Sequence, residues 1–267
     1  MRENAIIKVS NLVKNFGELQ AVRGISFGVE HGSIFAFLGP NGAGKTTTIK
    51  ILTTLLKPTS GEISVNGFNP LTEQNEVRRS FGIVFQDPSL DDELTAYENM
   101  EFHAVLYNIQ AKLRKSRIEE LLKFTELWER RNDIVKNFSG GMRRRLEIAR
   151  GLLHHPKILF LDEPTLGLDP QTRNHIWEYI RNLNTKEGIT VFFTTHYIAE
   201  AEQSAGKVAI IDHGQIVESG TPEEIKQKAG SKSLEEAFIA LTGKEIREER
   251  VGTKEVFRRS HQMWRRG

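Results

Sequence analysis

The 267-residue sequence contains no cysteine, which removes disulfides, thiolate nucleophiles and cysteine-based metal sites from consideration. That absence fits a reducing compartment without requiring one. No apolar run approaches the ~18 residues that a membrane-crossing helix needs, so the chain is not expected to cross a bilayer by itself. Met1-Arg2-Glu3-Asn4 leads only into a short β-like run, and no signal peptide is expected there. Internal repeats, low-complexity tracts and sustained heptads are missing as well. A basic surplus is also absent once the end of the chain is set aside. Residues 251–267 hold Lys254, Arg258, Arg259, Arg265 and Arg266 against one acid, Glu255. The other 32 basic and 34 acidic residues leave the body at a net −2, unlike the basic body of a nucleic-acid-binding domain.

What is present is an ordinary globular balance of 38% hydrophobic and 27% charged residues, which excludes wholesale disorder. The first thirty residues read as short strands, with Ile25, Phe27 and Val29 alternating against Ser26, Gly28 and Glu30. A further strand signal covers Glu62 to Gly67. Ile34 to Leu38, Ile158 to Leu161 and Ile189 to Phe193 are continuous apolar runs, as strands buried on both faces should be. The first run leads through glycines into a helix expected to face inward with Ile49, Ile51, Leu52, Leu55 and Leu56. Arg173 to Leu183 has helical character between the other two runs, so strand, helix and strand point to a parallel α/β sheet.

Residues 93–153 carry no strand signal, while Ile118, Leu121, Leu122 and Leu127 fall near helical spacing. An all-helical insert over about 88–153 is expected. Val208 to Ile211 and Gln215 to Val217 flank His213-Gly214 as a hairpin would. Thr221-Pro222-Glu223-Glu224 has the features of a helix start, Ser233-Leu234-Glu235-Glu236 reads as a second capping box, and Gly243 as a stop. Residues 244–267 are charge-rich without a period and are expected to form a flexible basic tail.

Three segments carry chemistry. Gly39-Pro40-Asn41-Gly42-Ala43-Gly44-Lys45-Thr46 fits G-x-x-x-x-G-K-[ST] between a buried strand and a helix, with Thr47 following. Glycines there let backbone amides wrap a phosphate at a helix N-terminus, Lys45 bridges the outer phosphates, and the Thr46 hydroxyl suits Mg²⁺. The competing reading is a turn that only joins strand to helix. Lys-Thr at the right offset favours nucleotide. Leu159-Phe160-Leu161-Asp162-Glu163 places two acids at the carboxyl end of a buried strand, where α/β folds bind ligands. Asp162 suits the magnesium shell and Glu163 the attacking water; a plain strand end is the alternative that the phosphate loop outweighs. Ser139-Gly140-Gly141, opening a long helix, is either an ordinary N-cap or another anion site.

The run Phe138-Ser139-Gly140-Gly141-Met142 through Arg150 resembles the signature of the ATP-binding subunits of ABC transporters. Phe138 and Met142 stand where that signature has leucine and glutamine; Met142 removes an amide that could touch the ribose. The resemblance covers roughly residues 5–243 and implies a P-loop NTPase core with a parallel sheet, an N-terminal antiparallel β subdomain and an all-helical insert. It implies ATP and Mg²⁺ as cofactors. Phe16 resembles the ring that stacks on adenine, although a core strand position is open to it. Gln86 resembles the glutamine that joins Mg²⁺ to the insert, although a surface amide would look the same. Asp169, in Gly167-Leu168-Asp169-Pro170, resembles the loop coupling two subunits, and a bare turn is its alternative. His196 after Phe193-Thr194-Thr195 resembles the histidine that contacts the γ-phosphate, although a lone histidine after a strand is usually structural.

In that family each ATP lies between the phosphate loop of one copy and the Ser-Gly-Gly turn of another. The resemblance therefore implies an ATP-dependent head-to-tail dimer, with catalysis by Glu163, His196 and Lys45. It also implies separate integral-membrane permease subunits contacted near Gln86 to Tyr97. Localisation would be cytoplasmic, peripheral on the inner face of the cell membrane. The segments Ser139–Arg150 and Leu161–Pro170 and the short C-terminal helices look most like the ABC-2 exporter group. The rival is a soluble ABC-type ATPase acting on nucleic acid or ribosomes, which would call for coiled-coil arms or two cassettes; no specific nucleic acid is expected. One stretch departs from the pattern: Ala205-Gly206-Lys207 stands where relatives often have Asp-Arg.

Overall fold

The computed structural model describes residues 4–243. The expected basic tail, 244–267, lies outside the described residues. Strands β1 (Ala5–Phe16), β2 (Leu19–Glu30) and, later in the chain, β4 (Ser60–Val65) form an antiparallel sheet in the order β2-β1-β4. The short strands expected in this region are two strands of twelve residues each. Their register shifts around Asn11, whose φ of 49° bends the strand and breaks the alternation that sequence reading relies on.

A second sheet has six strands in the order β5-β6-β7-β3-β8-β9. They are β3 (Ile34–Leu38), β5 (Phe81–Val84), β6 (Ile158–Asp162), β7 (Thr190–Thr195), β8 (Lys207–Asp212) and β9 (Gln215–Gly220). The first five in spatial order run parallel, and β8 turns back into β9 through His213 and Gly214 at φ 46° and 78°. Alternate residues of the central strands feed two cores. Ile34, Ala36, Leu38, Leu159, Leu161, Val191 and Phe193 face one side with the helical insert. Phe35, Phe37, Ile158, Phe160 and Phe192 face the other, against the antiparallel sheet and the helix after β3. There Phe27, Phe35 and Phe192 pack with ring centroids 5.5–6.0 Å apart.

That helix, α1 (Lys45–Leu52), is shorter than the apolar spacing suggested. Thr54 adopts φ 64° and turns the chain away, so Leu55 is 59% exposed rather than facing inward. Between β4 and β6 lie α2 (Gln74–Ser80), β5, α3 (Ala96–Leu106), α4 (Ala111–Phe124), two short 3-10 turns and α5 (Gly140–Gly151). The helical insert thus fills the interval between β5 and β6; Ile118, Leu121 and Leu122 lie buried on α4, while Leu127 is buried just past its end, outside the helical spacing expected of it. Neither α2 nor β5 was anticipated. Gly82 breaks β5's pattern because α5 passes so close that a Cβ there would sit 2.1 Å from the Gly151 carbonyl oxygen.

After β6 come α6 (Pro170–Glu187), α7 (Ile198–Ser204), α8 (Pro222–Ala229) and α9 (Leu234–Thr242). Thr221 and Glu224 complete a capping box at α8. At α9 the expected box is only half formed: Ser233 accepts from the Glu236 amide, but Glu236 accepts from Lys232 N instead of Ser233 N. Gly243 closes α9 at φ 69°. Ala205-Gly206-Lys207 carries the chain into β8, with the Gly206 amide donating to the Ile34 carbonyl at 2.9 Å. Among the described residues no helix is long and apolar enough to cross a membrane.

Candidate active site

Parallel strands deliver their carboxyl ends to one edge of the sheet, and the chemistry collects there. From β3 the chain passes through the glycine loop into α1. Two of its glycines are required by space: a Cβ on Gly39 would lie 2.1 Å from Ile211 O, and one on Gly44 (φ 101°) 2.6 Å from Ala21 O. The amides of Gly42, Gly44, Lys45, Thr46 and Thr47 have no hydrogen-bond acceptor within the described residues. They form a cradle of orphan donors at a helix N-terminus, which is what a polyphosphate requires. Pro40, Asn41 and Ala43 shape the same turn, closed by an Ala43 N to Pro40 O bond of 3.2 Å.

Lys45 is 4% exposed and folds back into this loop. Its Nζ donates to Gly39 O at 2.7 Å and Pro40 O at 3.1 Å, and pairs with Glu163 Oε1 at 3.1 Å. All three ammonium hydrogens are therefore engaged inside the protein. Glu163, at φ 50°, has left the strand direction of β6, so its carboxylate diverges from that of Asp162. Its Oε2 lies 2.6 Å from His196 Nδ1. Asp162 Oδ1 instead accepts from Thr194 Oγ1 at 2.6 Å and Thr46 Oγ1 at 3.2 Å.

The two adjacent acids are driven apart electrostatically. Burial raises the Asp162 carboxyl above its ordinary value, against the lowering effect of the Thr194 and Thr46 hydroxyls. Burial also pushes Glu163 upward, but the bond from His196 and the positive charge of Lys45 prevail and hold it below its ordinary value. Asp162 is thus a buried carboxylate whose hydrogen-bond partners among the described residues are hydroxyls, that of Thr46 included, with the Lys45 charge nearby. Hard oxygens of this kind suit Mg²⁺, which completes its shell with water and phosphate oxygens instead of an all-protein cage. Gln86, exposed just past β5, is fixed through its backbone: Arg144 donates to Phe85 O at 2.6 Å and Gln86 O at 3.2 Å. Among the described residues no hydrogen bond joins the Gln86 side chain to Thr46 or Asp162.

Among the described residues, the other sequence candidates make no hydrogen bond or ion pair with this cluster. Phe16 is 47% exposed at the β1–β2 turn with Lys14 Nζ 4.9 Å from its ring centre, so the core alternative fails. Ser139 and Gly140 are exposed at the start of α5, where Ser139 Oγ accepts from Met142 N at 3.3 Å. Gly141 packs so tightly on α6 that a Cβ would stand 2.4 Å from Thr172 Cγ2; Gly140 faces Leu168. Asp169 caps α6, accepting from Gln171 N and Thr172 N at 3.1 and 3.0 Å. Sequence reading missed Thr194, which bonds Asp162 and also accepts from Glu163 N at 3.0 Å; a hydroxyl inside an otherwise apolar strand was the available signal. It also missed Glu147 and Arg150, which with Arg144 are buried on α5 and hold the 85–89 loop through the exposed Ser89. The helical spacing of Glu147 and Arg150 carried no mark of that role.

Known proteins resemble this chain in sequence and in fold. The ABC transporter family description matches residues 22–166. The chain is 39% identical to the daunorubicin resistance ATP-binding protein of Streptomyces coeruleorubidus, over 86% of this chain and 72% of that protein. It is 39% identical to the Nod factor export ATP-binding protein I of Ralstonia nicotianae, over 82% of this chain and 68% of that protein. A solved ATP-binding subunit of an ABC transporter superposes with a TM-score of 0.80 at 30% identity, covering 89% of this chain and 99% of that one. A dimeric cassette in a post-hydrolysis state with ADP and Pi superposes at 0.72 with 31% identity, covering 80% of this chain and 98% of that one. The chain belongs to the ABC transporter family, as an ATP-binding subunit of its exporter group.

Proposed function

We propose that residues 1–243 form a Mg-dependent ATPase that closes head-to-tail with a second copy and drives export through separate membrane subunits. The observation that supports this best is a division within one chain. Lys45, Asp162, Glu163 and His196 meet at the sheet edge, while among the described residues no hydrogen bond or ion pair joins them to the exposed Ser139-Gly140 turn, where Gly140 faces Leu168. A chain so arranged needs another copy to bring signature and phosphate loop together.

In this reading the orphan amides of the loop bind the phosphates, and Thr46, Asp162 and Gln86 would hold Mg²⁺. The metal supplies charge neutralisation on the phosphate oxygens. Glu163, ionised at neutral pH, accepts the proton of the attacking water. His196 donates its Nδ1 hydrogen to Glu163 and fixes that carboxylate's direction. Lys45 passes from Glu163 to the phosphates on nucleotide entry. Phe16 offers an exposed ring to adenine, and Asp169 sets the turn that faces the second copy.

The membrane contact rests on a neighbouring surface. Phe102, Val105 and Leu106 are exposed on α3, close in sequence to the Gln86–Tyr97 segment, and give an apolar face for a permease subunit. Residence on the cytoplasmic face of the membrane follows from that contact. The exported compound is chosen by the permease.

The cysteine-free sequence makes the test clean. Asn41→Cys and Met142→Cys in one chain should cross-link between copies through a short bismaleimide in Mg-free ATP, and not in ADP. Cross-linking that ignores nucleotide would defeat the sandwich. Co-purification from detergent-solubilised membranes should bring a membrane protein; ribosomal RNA or DNA in its place would favour the soluble rival.

A further inference from the structure

Glu200, on α7, is 4% exposed and touches none of the residues assigned to nucleotide. Its Oε2 accepts from Thr195 Oγ1 at 2.9 Å, and its Oε1 accepts from the Thr165 hydroxyl. Arg173 Nε on α6 lies 3.6 Å from Oε1. Each contact leads to a loop of the active site. Thr165 stands two residues past Glu163, and its carbonyl accepts from Leu168 N at 3.1 Å, inside the turn that ends at Asp169. Thr195 precedes His196, and its hydroxyl also accepts from Tyr197 N at 2.9 Å, so the two neighbours of the histidine are tied together. The Arg173 guanidinium covers the Tyr197 ring at 4.2 Å, and that ring packs on the His196 ring at 4.1 Å. Arg173 N in turn donates to Asp169 O at 2.9 Å.

We propose that Glu200 and Arg173 are a positioning pair, transmitting the placement of the Gly167–Asp169 turn to His196 and through it to Glu163. Folding alone does not call for a charge here. A buried ion pair is often no more stabilising than apolar residues of similar volume, and this one sits beyond hydrogen-bond distance. Its geometry fits a relay instead: one carboxylate bridges the strand end that carries His196 and the turn that faces the second copy. A displacement of α6's first turn moves Arg173, and with it both the Tyr197 ring and the partner of Glu200. This inference rests on the reading of Glu163 and His196 as the catalytic groups.

The test uses the full-length protein with Mg-ATP and two variants, Glu200→Gln and Arg173→Met. Each should lower kcat at least tenfold, measured where the variants are fully folded, while the ATP dissociation constant stays within twofold. The double variant should be no slower than the slower single one, because both remove the same link. Arg173→Lys should recover part of the loss, keeping the charge without the planar stacking. Nitrogen-15 spectra of the His196 imidazole should shift in both single variants. A kcat within twofold of the parent, losses that multiply, or an unmoved His196 spectrum would each overturn the proposal. If Glu200→Gln does not fold, the more exposed Arg173→Met carries the test alone. Glu163→Gln separates the two levels: an active Glu163→Gln removes the underlying reading, whereas an inactive one beside a fully active Glu200→Gln removes only this pair.

Discussion

Replacing Glu163 by glutamine probes the site at its most connected point. The parent carboxylate is 7% exposed, 3.1 Å from Lys45 Nζ and 2.6 Å from His196 Nδ1. At 3.1 Å the gross attraction to Lys45 is ~5 kcal/mol with an effective dielectric constant of about 20, and desolvation offsets much of it. Glutamine keeps the shape and one acceptor oxygen but neither the charge nor the proton affinity. Three results follow. Without nucleotide the variant should be less stable by ~1–3 kcal/mol, since Lys45 stays buried without its carboxylate. Nucleotide should bind at least as tightly as in the parent and up to about tenfold tighter, a gain of ~1.4 kcal/mol, because phosphates no longer compete with Glu163 for Lys45. Hydrolysis should fall by ~10²–10⁴, the usual contribution of a general base. The blocked protein should then run as a dimer in ATP and a monomer in ADP on sizing chromatography, with calorimetry reporting the ADP affinity. Rapid hydrolysis by this variant, or a monomer with ATP bound, would refute both the base assignment and the closure mechanism.

Further outcomes are more local. Phe16→Ala should weaken ATP binding by ~1–3 kcal/mol and Phe16→Tyr only slightly, with melting temperature unchanged in both, since the ring is exposed; equal loss from both in a binding titration would count against stacking. Gly141→Ala should cost ~1–3 kcal/mol by overpacking against Thr172, and chemical denaturation should show it; a neutral result would mean that α5 and α6 separate easily. His103 is lowered to about 4 by burial and by Arg150, so it stays neutral in the fold while the unfolded chain protonates near 6.5. Its contribution is present above pH 6.5 and lost as pH falls toward 4; His103→Gln should flatten that part of the stability profile, and an unchanged profile would exclude it. Deleting 251–267 should leave ATPase activity intact, and a fall in liposome binding would assign the basic segment a membrane role.

The elements legible in the sequence were those whose pattern is local. The apolar runs of β3, β6 and β7 declared themselves because burial on both faces leaves no polar alternation to interrupt them, and Gly39 to Thr46 did so because one short loop must both turn and bind. β5 escaped because Gly82 yields to a helix seventy residues away, and the length of β1 and β2 escaped because the bulge at Asn11 resets the alternation. The same division runs through the site. Lys45, Asp162 and Glu163 could be named from their motifs, yet the motifs say nothing of Lys45 lying on Glu163 when no phosphate draws it away. Nor could Glu200 be singled out, since it is one glutamate in a short helix whose neighbours give no period. Its meaning lies in Thr165, Thr195 and Arg173, which three separate segments bring to it. Motifs therefore locate the groups assigned to the nucleotide. The groups that decide when those residues are aligned sit on contacts between segments, and only the folded chain brings those segments together.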